Sequence, residues 1–286
     1  MKNKQAIYLL FLSNIISGFA QGISMIAIPW YFVEIINRPS VFSIAYIIIT
    51  FLILFWGLYA GTLIDRYSRK KIFIITNLFC GIIIGSIAFF GFYNAELQDI
   101  LVVSVFGLTI FNYNVHYPNL YAFGQEITEK EYYGKLNSYI EVQGQATSVL
   151  AGAFAALLLT GTKNQMINLI GINITLPFDI MAWDIHEIFL MDAITYFISI
   201  IIISFIKYNP IKKKNIEKGT VWQRLRGGFI YLKNNNLIFI FGLSSYMLFA
   251  FLLVEIHVLL PSYVRNFLKE GGEIYAAAEV YYSFGA

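Results

Sequence analysis

Two apolar runs, 41–63 and 72–93, meet at a short charged turn, Gly61-Thr62-Leu63-Ile64-Asp65-Arg66-Tyr67-Ser68-Arg69-Lys70-Lys71. Each run has the roughly 20 apolar residues that one bilayer crossing needs. A backbone in hydrocarbon must satisfy its own hydrogen bonds, so each run is read as a helix. The five charges between positions 65 and 71 cannot sit in hydrocarbon, and the pair is therefore a helical hairpin with its turn at one membrane face. Four of those five are Lys or Arg, which marks the face as cytoplasmic. Arg69, Lys70 and Lys71 open the second helix, where the helix dipole disfavours cations. They need counter-charges. Asp65 and anionic lipid head groups are the expected ones, and Asp65 is expected close to Arg66, Arg69 or a neighbouring helix end.

The rest of the chain repeats this pattern. Only 13% of its 286 residues are charged, about half the share in a soluble domain, and the mean hydropathy is +0.66. The chain reads as an all-α polytopic membrane helix bundle. Seven complete spans can be drawn, at 7–33, 41–63, 72–93, 100–121, 136–159, 187–206 and 237–263. With the N-terminus inside, 16 of the 20 Lys and Arg fall on the cytoplasmic side and four outside, which supports that orientation. The first apolar run is too long for a cleaved signal segment and reads as the first span. Cys80, the single cysteine, lies inside a span, so there is no disulfide framework and no metal-type spacing.

Residues 207–236 form a polar stretch between spans six and seven. It opens with Pro210 and Lys212-Lys213-Lys214, after which Thr220 to Gln223 reads as a capping box. Val221, Leu225 and Phe229, with Arg224, Arg226 and Lys233, suit an amphipathic helix lying on the inner leaflet. The chain therefore divides into a six-helix half (1–206), a basic linker (207–236) and the start of a second half (237–286). The external segment 160–186 is apolar and roughly alternating around Gly171 and Asn173, which suggests a small hairpin or a strip on the membrane surface. Gly18 with Gly22, Gly57 with Gly61, and Gly81 with Gly85 are small-residue pairs four apart, as are Gly144, Ser148 and Gly152 on span five. Such spacing lets helix backbones meet in lipid.

The pattern Gly-x-Leu-x-Asp-Arg-x-x-Arg-Lys-Lys between spans two and three resembles the signature loop of the major facilitator superfamily of secondary transporters. Ser68 departs from the Gly or Asp usual there. Other stretches are similar to the drug- and siderophore-efflux branch that includes macrolide and enterobactin exporters. They are Gly22 to Pro29, Leu136-Asn137-Ser138, Met191 to Phe197, and Leu259-Leu260-Pro261. The resemblance implies a fold of two six-helix halves around a central cavity. It also implies that Gly61, Asp65, Arg66 and Arg69 form a cytoplasmic latch, with the glycine allowing close helix approach. Span five, Leu150 to Ala156, lacks the Gly-Pro step usual in antiporters, so import by the same superfamily stays open.

Ionisable groups at membrane depth are functional candidates by default. Glu141 shares a polar, small-residue stripe with Gln145, Ser148 and Gly152, and the resemblance places Glu255 on a cavity-lining helix. Either carboxylate can load and release a proton, so both are proton-coupling candidates; interhelical hydrogen bonding is the alternative for each. Gln21, Asn112 and Asn114 are cavity candidates. Glu34, His116 and His257 read as solvated span ends, and Asp192 as a structural hydrogen-bonding group.

The functional expectation is proton-coupled efflux of an amphipathic small-molecule substrate across a bacterial cytoplasmic membrane. The proton gradient is the energy source, with no bound cofactor, no metal, no nucleic acid and no obligate protein partner beside the lipid bilayer. A non-transporting receptor or scaffold is the alternative from another class. An enzyme is not expected, because the spans hold no zinc-type His-Glu-x-x-His helix, no Ser-Lys pair and no His-paired carboxylates. An eighth span starts at 274. Its 13 residues reach roughly 20 Å as a helix against about 30 Å of hydrocarbon, so the chain is expected to be a C-terminally truncated transporter, inactive unless completed by a second half.

Overall fold

The computed structural model describes residues 3–94, 96–162, 165–169, 172–175, 177–208 and 221–285. Among these, seven helices are long and apolar enough to cross a membrane, at 4–35, 39–66, 69–94, 99–126, 130–160, 185–204 and 236–268. They coincide with the seven spans drawn from the apolar runs, to within a few residues at most ends. An antiparallel hairpin pairs β1 (Met166–Leu169) with β2 (Ile172–Thr175), Met166 opposite Thr175 and Leu169 opposite Ile172. Gly171 lies outside the described residues.

Local chemistry sets the helix ends. α1 (Lys4–Trp30) starts behind Asn3, whose side-chain oxygen accepts from the Ala6 amide at 3.0 Å. Pro29 takes one amide out of the ladder, and the helix widens into a π-type turn over Tyr31–Ile35. α2 (Pro39–Arg66) begins with proline, whose missing N–H costs nothing at a first turn. Tyr67 is extended, and α3 (Arg69–Asn94) follows at once, so the hairpin turns on two residues. α4 (Asp99–Glu126) and α5 (Tyr133–Thr160) complete the next hairpin. Gly161 ends α5 at φ +66°, a conformation that suits glycine. α6 (Ile185–Ser204) opens with a full capping box between Asp184 and Glu187.

α7 (Val221–Asn234) confirms a helix in the linker, with Trp222, Phe229 and Ile230 exposed. The lysine run at 212–214 and the Thr220 cap lie outside the described residues. α8 (Asn236–Val254) continues through two π-type turns and α9 (Leu260–Tyr263) to Leu268, where Lys269 turns left-handed. α10 (Gly272–Gly285) then packs against α5. Its Tyr275, Ala276 and Val280 are buried, and Tyr275 stacks on Trp30 at 5.9 Å.

α1 is the hub, packed on α5, α6 and α4; α3 packs on α6 and α4, and α2 on α4. The glycine pairs divide into two kinds. A methyl on Gly22 would stand 2.8 Å from Ala151 of α5, and one on Gly18 3.6 Å from Thr147. One on Gly81 would meet Tyr196 and Phe197 of α6 at 3.3 Å, and one on Gly85 would meet Ala193 at 3.5 Å. These two pairs are the close approaches of the bundle. At Gly57 and Gly61 no described atom lies within 4 Å, which corrects the expectation that Gly61 permits a tight helix contact. In this bundle α2 meets its neighbours through larger side chains, such as Trp56, whose indole donates to the Phe111 carbonyl at 2.8 Å.

Candidate functional site

A cavity of about 270 Å³ opens between α1, α4 and α5, with Leu253 and His257 of the seventh span closing one side. α1 contributes Asn14, Gly18, Gln21 and Gly22, which recur every three or four residues and so fall on one helix face. α4 contributes Thr109, Tyr113, His116 and Tyr117, and α5 contributes Gln143, Gly144, Thr147 and Ser148.

The wall is stitched by neutral hydrogen bonds. Asn14 Nδ2 donates to Gln143 Oε1 at 2.6 Å, and His116 Nε2 donates to Asn14 Oδ1 at 2.7 Å. Gln143 Nε2 in turn donates to Thr147 Oγ1 at 3.0 Å. One relay therefore crosses α4, α1 and α5, and burial makes a break in it costly, because an orphaned polar group finds no water. Among the described residues no Asp, Glu, Lys or Arg lines this cavity. Its chemistry is amide, imidazole, hydroxyl and aromatic, suited to neutral hydrogen bonding and stacking.

Of the residues singled out from sequence, Gln21 lies on the wall and also donates to the Thr109 carbonyl at 3.4 Å. Asn112 and Asn114 do not line the cavity. Asn112 is buried with its amide 3.5 Å from the Tyr196 hydroxyl, and Asn114 donates to Ile110 O on its own helix. Glu141 is exposed and accepts a hydrogen bond from Tyr121; at 100° per residue it points away from Gln143, which faces the cavity. Glu255 is also exposed and off the wall, correcting its expected place there, while His257, two residues on, lines it. Two of the expected solvated ends are corrected too: His116 is buried in the relay, and His257 sits 6.1 Å from the rings of Tyr46 and Phe106. Glu34 is partly exposed and ion-paired with Arg265.

At the α2–α3 turn Asp65 and Arg66 are exposed, whereas Arg69 is buried. Its guanidinium lies 3.5 Å from Glu126 at the end of α4, and its carbonyl accepts from Asn119 at 3.0 Å. Lys70 Nζ donates to the carbonyls of Ser204 at 2.7 Å and Ile206 at 2.9 Å, where the α6 dipole favours a cation. Two of the three cations thus meet the C-terminal ends of other helices, which offsets their poor place at the start of α3. Sequence pattern held no sign of Glu126 as a partner, since it stands 57 positions away in the chain.

At the opposite end of α1 a second cavity of about 430 Å³ lies among Trp30, Tyr31, Trp183 and His186, with Glu96, Asp99 and Asp184 at its edge. Arg38 pairs with Asp99 there at 2.9 Å.

Residues 10–286 match the family model of the Major Facilitator Superfamily. No curated protein matches the chain. The match covers nearly the whole sequence, so the chain belongs to the Major Facilitator Superfamily and is a multi-pass membrane protein of transporter type.

Proposed function

We propose that this major facilitator transporter exports amphipathic small molecules in exchange for protons across a bacterial cytoplasmic membrane. The observation that carries the reading is the uncharged cavity wall of amides, tyrosines and imidazoles. A wall of that kind rewards an apolar body bearing a few hydrogen-bonding groups, such as a macrolide or a siderophore. The excess of Lys and Arg on one side supports a cytoplasmic N-terminus and a cytoplasmic α2–α3 turn. In this reading 1–206 is the first transporter half, 207–236 the linker and 237–286 the start of the second. The turn with Asp65, Arg66 and Arg69 is the latch, anchored through the buried Arg69.

The test is accumulation of radiolabelled erythromycin in inverted vesicles containing residues 1–286, beside a version completed with a homologous second half. A pH gradient should raise accumulation several-fold, and a protonophore should abolish the rise. Equal accumulation with and without the gradient in both versions refutes the proposal. Gradient-dependent accumulation only in right-side-out vesicles would reverse the direction to import.

A further inference from the structure

Asp192 is fully buried in α6, with 0% exposure, and its carboxyl has a single hydrogen bond among the described residues. Ser24 Oγ of α1 donates to Oδ2 at 3.1 Å, while Oδ1 is buried with no hydrogen-bond partner among the described residues. No cation among the described residues pairs with it. The titratable groups that face it are Cys80 from α3 and Tyr196 one turn along α6. α1 presents only Ser24, and α4 reaches the group through Asn112 on the Tyr196 hydroxyl. A carboxylate with one donor and no cation is strongly disfavoured at membrane depth. A neutral acid is not, and a proton on Oδ1 makes that atom a donor.

Polar side chains lie between this site and the cavity. Ser24 lies one turn from Gln21 on α1, and Gln21 donates to the Thr109 carbonyl at 3.4 Å. Asn112 lies one turn from Thr109 on α4 and donates to Tyr196, which is one turn from Asp192. These groups lie in a ring across α1, α4 and α6, hydrogen-bonded between the helices and one turn apart along each, and Gln21 and Thr109 line the cavity. Thr109 Oγ1 and Asn112 Oδ1 in the same ring are also buried without partners among the described residues.

We propose that Asp192 is a proton-binding site served from the central cavity through this ring. In the arrangement described, the acid is neutral. When the α1–α6 contact opens, the O–H bond breaks, the proton passes to water in the cavity and the carboxylate remains until another proton returns. The link from this site to substrate movement rests on the exporter reading; the proton site does not.

The test is infrared titration of residues 1–286 in lipid, following the carbonyl stretch of protonated carboxylic acids. The wild type should show a band that Asp192→Asn removes, that disappears as pH rises, and that shifts on exchange into deuterated water. A band absent at every pH, one that never titrates, or one retained in Asp192→Asn overturns the proposal. If Asp192→Asn does not reach the membrane, Ser24→Ala decides. Losing a donor to a charged acceptor should move the midpoint by about one pH unit or more, and an unmoved midpoint overturns the proposal. A wild type that titrates but shows no gradient-driven erythromycin transport, alone or completed, removes the exporter reading and leaves the proton site standing.

Discussion

Gly22→Ala tests whether the contact between α1 and α5 is set by the missing side chain. The added methyl would lie 2.8 Å from the Ala151 methyl, against 3.4–4 Å for ordinary contact. The alanine methyl is Cβ itself and cannot rotate away, so the helices must part by about 0.6 Å or more, at a typical overpacking cost of about 1–3 kcal/mol. Replacing glycine inside a helix also gains up to about 1 kcal/mol in propensity, which blurs the single measurement. Gly57→Ala removes that ambiguity, because it carries the same propensity gain in α2 with no described neighbour within 4 Å. The difference between the two variants is then the steric cost, about 1–3 kcal/mol, or several degrees in Tm. Thermal unfolding in one detergent, followed by circular dichroism, reads it. Adding Ala151→Gly to Gly22→Ala moves the methyl across the interface and should recover most of the loss. Equal Tm values for Gly22→Ala and Gly57→Ala, or no recovery in the double variant, would refute the packing argument.

Arg69→Met leaves Glu126 without its buried cation (the paired side chains are 7% and 13% exposed) and should cost about 2–4 kcal/mol in thermal unfolding, whereas Arg66→Met should cost under about 0.5 kcal/mol; equal effects would contradict the assignment of Arg69 as the anchor. His116→Phe orphans Asn14 at the cavity wall and should lower stability by about 1–3 kcal/mol, with partial recovery in His116→Gln; a His116→Phe protein as stable as wild type would show that the relay contributes nothing. Lys70→Met should change global stability by less than about 1 kcal/mol yet speed amide hydrogen exchange in the last turn of α6, and unchanged exchange there would reject its capping role. Glu141→Gln and Glu255→Gln, both off the cavity wall, should keep gradient-driven erythromycin transport in the completed protein; loss in either would return proton coupling to that carboxylate.

The number and place of the spans were legible in the sequence because both follow from local requirements. About 20 apolar residues cross the bilayer, and the hydrocarbon obliges each to be helical. The charged turn at 65–71, the helix α7 and the hairpin within 160–186 were legible for similar reasons of charge, amphipathic spacing and alternation. Which side of each helix faces the protein was not. In a bilayer the lipid-facing side is as apolar as the packed side, so the hydrophobic pattern of α5 does not mark Gln143 and Thr147 as inward and Glu141 as outward. Formal charge drew attention to Glu141 and Glu255, while the cavity is built from Asn14, His116, Gln143 and His257. The glycine pairs share one spacing, and only helix rotation and the opposing side chain decide that Gly22 and Gly81 are contacts while Gly57 and Gly61 are not. The partners of Arg69 and Asp192, Glu126 and Ser24, stand 57 and 168 residues away in the chain. Those pairings are decided by how the finished helices stack, because a pair of polar groups at membrane depth is stable only where the bundle brings them together out of lipid.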